Sequence, residues 1–133
     1  MSPTHTPLWN SPAFTIERVE DKVPRTLIFH FTGPFIANDM YRSLKPAVVS
    51  GIFEFKPEPG QEQPVIHIFD LTQVPSMDSS GLGLIVSHYM NCRSRGIRVI
   101  AVGVNPNVQQ LLHFTRVDSL IPTAATVEEA IAS

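Results

Sequence analysis

The sequence is poor in the residues from which disulfide scaffolds and metal clusters are built. Cys92 is the only cysteine among 133 residues, which excludes an internal disulfide and a site made of several cysteines. No histidine pair has a ligand spacing such as His-Glu-x-x-His. We therefore expect no metal and no cofactor, with each histidine in a structural or surface position. The histidines are His5, His30, His67, His88 and His113.

The sequence also lacks strong charge of either sign and long hydrophobic runs. A formal net charge of −2 gives no positive potential that would attract a phosphate backbone, so we do not expect direct nucleic-acid binding. No apolar run approaches the roughly 18 residues that indicate a membrane span. The first residues lack the basic and apolar regions of a secretory signal, so we expect a cytoplasmic protein.

What the sequence does contain is enough apolar material for one folded domain. Hydrophobic residues make up 43% and charged residues 17%, values typical of a globular chain of this length. Residues 1–12 contain three prolines among polar residues, and we predict a flexible leader there. The domain is then expected over residues 13–133.

The first half of that domain is predicted to begin with a β-hairpin. Alternating apolar residues indicate strands over 13–19 and 26–32, with a turn at 21–24. Helical spacing predicts a helix over 38–50, which Pro46 must bend or end unless it lies near a helix end. Three prolines and a glycine within residues 56–64 indicate a long surface loop over residues 51–64.

In the second half, strands and helices alternate, which favours a mixed sheet with helical crossovers. A nearly continuous apolar strand is predicted first, covered on both sides. The complete order is β-β-α-β-α-β-α-β-α, and the fold class is α/β. The predicted elements are a strand at 65–71, a helix ending near 96, a strand at 97–104, a helix from 106 to 115, a short strand at 120–121, and a terminal helix opened by a capping box at 126–129.

The stretch Phe69–Gly83 joins the apolar strand to the second helix and carries Asp78-Ser79-Ser80-Gly81. The first N–H groups of a helix have no intrahelical partner, and they lie at the positive end of the helix dipole. On residue types alone, these serines are favoured as helix-capping residues. Gly81-Leu82-Gly83 lacks the further residues of a dinucleotide loop or a P-loop, so the glycines indicate close packing instead.

A serine hydrolase is an alternative interpretation of the same junction. Ser79 or Ser80 would be the nucleophile, but the Gly-x-Ser-x-Gly pattern of a nucleophile elbow is absent, since Met77 occupies the place of the first glycine relative to Ser79. His88 would lie about 13 Å along the helix axis from Ser79, too far to accept its proton. Catalysis is therefore disfavoured, and we predict no catalytic residue.

The residues from Phe69 to Gly83 closely resemble the signature of STAS domains. The most specific part is the Asp-Ser-Ser-Gly-Leu-Gly core that follows an apolar strand. Within that family, these residues resemble bacterial anti-sigma factor antagonists in particular. The resemblance implies a single STAS-like domain that acts as a phosphorylation switch and is not an enzyme. It implies that Ser79 is the phosphate acceptor, that an anti-sigma factor serine kinase binds the unmodified form to release a sigma factor, and that a serine phosphatase resets the switch.

The resemblance also predicts a partner-binding surface made of Asp78, Ser80 and Gly81, together with Phe35 and Ile36. Family antagonists often carry acidic residues after the second strand, where this chain has the apolar pair Phe35 and Ile36. An exposed apolar pair would suggest a permanent protein–protein interface. The alternative function is therefore an interaction module that never carries phosphate, as a scaffold or a transporter-complex subunit.

Overall fold

The computed structural model describes residues 3–22 and 24–133 and builds them around one six-stranded sheet. The strands are β1 Thr4–Asn10, β2 Thr15–Asp21, β3 Thr26–Thr32, β4 Ile66–Gln73, β5 Arg98–Val102 and β6 Thr123–Ala124. The helices are α1 Pro46–Ser50, α2 Ser79–Ser94, α3 Pro106–Phe114 and α4 Val127–Ala132, with 3₁₀ turns at Ala37–Arg42 and Val117–Ser119.

The sheet follows chain order, so each strand pairs with its neighbours in sequence. The pairs from β1 to β3 are antiparallel, and the pairs from β3 to β6 are parallel. This arrangement confirms the α/β class, the mixed sheet and the hairpin of β2 and β3. The predicted turn at 21–24 includes Val23, which lies outside the described residues.

The amino-terminal segment differs from the predicted flexible leader over residues 1–12. Thr4–Asn10 forms the edge strand β1 and pairs with β2, while Met1 and Ser2 lie outside the described residues. Pro7 does not prevent this, because an edge strand tolerates a residue without an N–H, and the register shifts between Pro7 and Trp9. The Trp9 ring contacts the Phe14 ring at a centroid distance of 5.9 Å.

The helix predicted over 38–50 is wrong as a continuous element. A 3₁₀ turn over Ala37–Arg42 comes first, and α1 then begins at Pro46. Proline suits the first turn of a helix, where its missing N–H costs nothing, so Pro46 opens a helix here and does not bend one. The segment 51–64 has no helix or strand, but Phe53 and Phe55 are buried, so it is not wholly a surface loop.

The predicted burial of the central strand on both sides is confirmed. One face of β4 packs into the larger core, where the Phe69 ring lies 5.4 Å from Phe29 and 5.2 Å from Phe53. The other face carries Ile66 and Ile68 into a smaller cluster under α4. Helices on both faces therefore hold the strand that leads into the Asp-Ser-Ser-Gly segment.

At the end of the chain, the strand predicted at 120–121 is misplaced. The structure forms β6 at Thr123–Ala124 and buries Ile121 as a core residue after a 3₁₀ turn. The terminal helix is confirmed, since Thr126 caps α4 by accepting a hydrogen bond from the Glu129 N–H. Among the described residues, no helix combines the length and apolar character needed to cross a bilayer.

Gly81 and Gly83 occupy contrasting positions in the first turns of α2. A Cβ at Gly81 would lie 2.6 Å from the Phe35 carbonyl oxygen and 2.8 Å from the Phe35 ring. Beyond the neighbouring backbone of α2, a Cβ at Gly83 would meet no atom of the described residues within 4 Å. The predicted close packing therefore requires glycine at Gly81 and not at Gly83.

We predict that Gly81→Ala lowers the free energy of unfolding by about 1–3 kcal/mol, because the methyl group forces α2 away from Phe35. Gly83→Ala is the matched control, and its free energy of unfolding should rise by about 0.5–1 kcal/mol. Urea denaturation of both variants measures the difference. Equal effects would contradict the close approach.

Candidate functional site

The junction between β4 and α2 is fixed by the Asp78 carboxylate, which caps the helix. Asp78 lies in extended backbone at the N-cap, and its Oδ1 accepts a hydrogen bond from the Gly81 N–H at 3.0 Å. The Asp78 N–H approaches the Phe35 carbonyl oxygen at 3.4 Å, and Phe35 forms a parallel bridge with Met77. The start of α2 is thereby tied to the chain that follows β3.

Ser80 takes part in the same network and is held on two sides. Its hydroxyl donates to Asp78 Oδ1 at 2.6 Å and accepts from the Asn38 N–H at 3.1 Å. Asn38 belongs to the 3₁₀ turn after β3, so Ser80 links that turn to α2. The side chain is half-buried, and it caps no N–H of α2. The preference for the serines as capping residues is therefore wrong, because the Asp78 carboxylate is the cap.

Ser79 differs from its neighbour in both exposure and bonding. It is the first residue of α2, it is exposed, and within residues 3–22 and 24–133 its hydroxyl has no hydrogen-bond partner. The Asp78 carboxylate caps the Gly81 N–H, which leaves the N–H groups of Ser79 and Ser80 without an intrahelical acceptor. The structure thus separates two adjacent serines into a structural one and an available one.

The loop before α2 is also held from the side of α3. The Asn105 side-chain amide donates to the carbonyl oxygens of Val74 and Pro75 at 2.9 and 3.1 Å. Its Oδ1 accepts from the Val108 N–H at 2.9 Å and caps α3. One side chain therefore positions the first turn of α3 and the segment that leads to Ser79.

Two predicted partner-binding residues do not reach the surface. Phe35 is 0% exposed because its ring packs against Phe31 and Phe14 at 4.9 and 5.7 Å, so the prediction of an exposed apolar pair is wrong. Gly81 is buried against Phe35, which gives it a packing role. Ile36 is half-buried.

A second group of polar side chains was missed by sequence reasoning. His67 on β4 meets His88 and Cys92 on α2 inside the core, where all three residues are buried. The four-residue spacing of His88 and Cys92 was the available signal, because it places both on one helix face. His67 comes from a strand 21 positions earlier than His88, so no local spacing reveals the trio.

These three groups also bear on the hydrolase alternative, because His88 is engaged with His67 and Cys92 and not with a serine. Burial, His88 and Arg95 lower the pKa of His67 to about 3, and burial and Arg95 lower the pKa of His88 to about 4. Both imidazoles are therefore neutral near pH 7. Burial raises the pKa of the Cys92 thiol, and Arg95 opposes that shift.

The family model of the STAS domain matches residues 18–130. The chain belongs to the STAS domain family. The match runs from β2 to α4, and it includes Asp78-Ser79-Ser80-Gly81 with the segment that positions it.

Several solved structures share this STAS fold. A sulfate transporter family protein from Wolinella succinogenes is 21% identical, with a TM-score of 0.63, over 81% of this chain and 83% of that one. A putative anti-sigma factor antagonist from Thermotoga maritima is 24% identical, with a TM-score of 0.61, over 81% of this chain and 86% of that one. The anti-sigma factor antagonist SpoIIAA in its unphosphorylated form is 23% identical, with a TM-score of 0.61, over 90% of this chain and 93% of that one. These likenesses show the fold.

We predict that Asp78→Ala lowers the free energy of unfolding by about 1 kcal/mol, because the Gly81 N–H and the Ser80 hydroxyl both lose their acceptor. Ser79→Ala should change it by less than about 0.5 kcal/mol, since that hydroxyl is exposed. Chemical denaturation of the two variants provides the comparison. A loss in Ser79→Ala as large as that in Asp78→Ala would show that the two side chains share one structural role.

Proposed function

We propose that this STAS domain is an anti-sigma factor antagonist controlled by phosphorylation of Ser79. In this proposal the unmodified chain binds an anti-sigma factor that is also a serine kinase, and this binding frees a sigma factor. Phosphorylation of Ser79 ends the binding, and a serine phosphatase restores it. The exchange takes place in the cytoplasm, and the chain itself catalyses no reaction.

The observation that carries the proposal is the contrast between Ser79 and Ser80. A kinase needs a hydroxyl that reaches its active site, and Ser79 is exposed. Ser80 is held by Asp78 and Asn38, so its phosphorylation would require two hydrogen bonds to break. The bonding pattern therefore supports Ser79 as the acceptor, independently of the family signature.

The start of α2 also suits a phosphoserine without loss of the fold. A phosphoryl group adds about −1.5 to −2 charge and three acceptor oxygens. The N–H groups of Ser79 and Ser80 and the helix dipole favour an anion at this position. The new charge lies beside the Asp78 carboxylate, so the two together form a negative patch that repels an acidic partner surface.

The proposed binding surface surrounds Ser79 and uses the side chains that the fold exposes there. Ser76 and Asn38 are exposed, Asp78 and Ile36 are half-buried, and Ser80 lies between Asp78 and the 3₁₀ turn. Phe35 and Gly81 support this surface from beneath. The partner is accordingly expected to contact a mainly polar surface.

The second candidate function is a STAS interaction module that carries no phosphate, as a scaffold or a transporter-complex subunit. It is favoured by the similarity to the sulfate transporter family protein. The burial of Phe35 removes the exposed apolar pair that first motivated it. A chain that is never phosphorylated and that co-purifies with transporter subunits would favour this second function.

We predict that an anti-sigma factor serine kinase and ATP add one phosphoryl group to the purified chain, as measured by the mass of the intact protein. Ser79→Ala should abolish the addition, because it removes the only free hydroxyl at the start of α2 among the described residues. Ser80→Ala is the matched control and should still be phosphorylated. Phosphate that persists in Ser79→Ala, or that is lost only in Ser80→Ala, would overturn the assignment.

A further inference from the structure

The inner face of the sheet brings three metal-ligating side chains together, away from the Ser79 surface. His67 projects from β4, and His88 and Cys92 project from successive turns of α2. The exposed fraction is 0% for His67, 7% for His88 and 0% for Cys92. The cluster therefore joins the central strand to the helix that begins at Ser79.

The three ligand atoms lie within the spacing of a metal coordination shell. His67 Nδ1 is 2.9 Å from His88 Nε2, and the Cys92 Sγ is 3.4 Å from the first and 3.3 Å from the second. These separations define a triangle whose centre is about 1.9 Å from each atom. An ion about 1 Å out of that plane would be about 2.1 Å from all three, near the usual zinc–nitrogen and zinc–sulfur bond lengths.

A hydrogen bond between His67 and His88 forms one side of this triangle. The His67 and His88 rings are nearly parallel, at 16°, and their centroids are 5.1 Å apart, so the two nitrogens face each other. One ring donates to the other, as neutral imidazoles do. A metal ion would take the place of the bridging proton after a small rotation of the rings.

The core keeps these polar groups in apolar surroundings, where burying them is costly. Among the described residues, the other nitrogen of His67, Nε2, is buried without a hydrogen-bond partner, which adds to this cost because buried polar atoms are normally satisfied. Aromatic rings form the surroundings, and Phe29, Phe53 and Phe69 lie 5.5–5.8 Å from His88 between ring centroids. Apolar residues of similar volume would pack here without that cost.

We propose that His67, His88 and Cys92 bind a thiophilic divalent transition-metal ion of the zinc class. One thiolate and two imidazoles suit such an ion, whereas Ca²⁺ and Mg²⁺ take oxygen ligands. Both imidazoles are neutral and have a lone pair to give. On binding, the Cys92 thiol releases its proton to solvent, and the donating ring moves its proton to its other nitrogen.

Three protein ligands leave one coordination position open. The ion would cross-link α2 to β4, because His88 and Cys92 belong to the helix and His67 to the strand. Binding to the folded chain alone stabilises it by mass action, so occupancy raises the melting temperature. This inference does not depend on phosphorylation of Ser79.

The test titrates the reduced, chelator-treated full chain with Zn²⁺ and, separately, with Co²⁺ as a spectroscopic probe. We expect one ion per chain, a higher melting temperature with Zn²⁺, and a thiolate-to-cobalt charge-transfer band that Zn²⁺ abolishes. Mg²⁺ and Ca²⁺ should change neither signal. These measurements use the unaltered chain, so they decide the matter even where a core variant fails to fold.

The variants then assign the ligands. Cys92→Ser should abolish the charge-transfer band and weaken Zn²⁺ binding by at least tenfold. His113→Gln is the control, because its side chain is 77% exposed and lies outside the cluster, and it should bind as the unaltered chain does. A missing charge-transfer band, or Zn²⁺ binding that is lost in His113→Gln and kept in Cys92→Ser, would overturn the site.

Discussion

The hydrogen bonds of the Asp78 carboxylate are the interactions on which the proposed functional surface of this STAS domain depends. The carboxylate accepts from the Gly81 N–H and from the Ser80 hydroxyl, so it caps α2 and orients the second residue of the helix. Ser80 in turn accepts from the Asn38 N–H and brings the 3₁₀ turn after β3 against the helix. Since Asp78 and Ser80 satisfy each other, Ser79 is the residue whose hydroxyl is left exposed.

Under the proposed function, this division of roles would let one surface change its charge while the fold persists. The groups that hold α2 in place are the cap, the contact of Gly81 with Phe35, and the Asn105 bonds to the preceding loop. A phosphoryl group on Ser79 would break none of them, and an anion is favoured at a helix N-terminus. In the proposed switch, the energetic cost of phosphorylation would therefore fall on the complex with a partner and not on the free domain.

Features that depend on neighbouring residues could be predicted from the sequence, whereas contacts between residues far apart in the sequence could not. Neighbouring residues determine four features that were predicted. They are the β2–β3 hairpin, the burial of β4 on both faces, the start of α2, and the helix caps at Asn105 and Thr126. Three features depend on distant partners and were missed. They are the pairing of β1 with β2, the burial of Phe35 under Gly81, and the meeting of His67 with His88 and Cys92.

The central claim is that a charge at Ser79 controls partner binding without disturbing the fold. Its most direct test is the affinity of an anti-sigma factor kinase for the unmodified chain and for Ser79→Asp, with amide NMR spectra of both free proteins. The account predicts at least tenfold weaker binding, about 1.4 kcal/mol, with spectral changes confined to residues near the start of α2. Unchanged affinity, or changes that spread across β4 and β5, would contradict it.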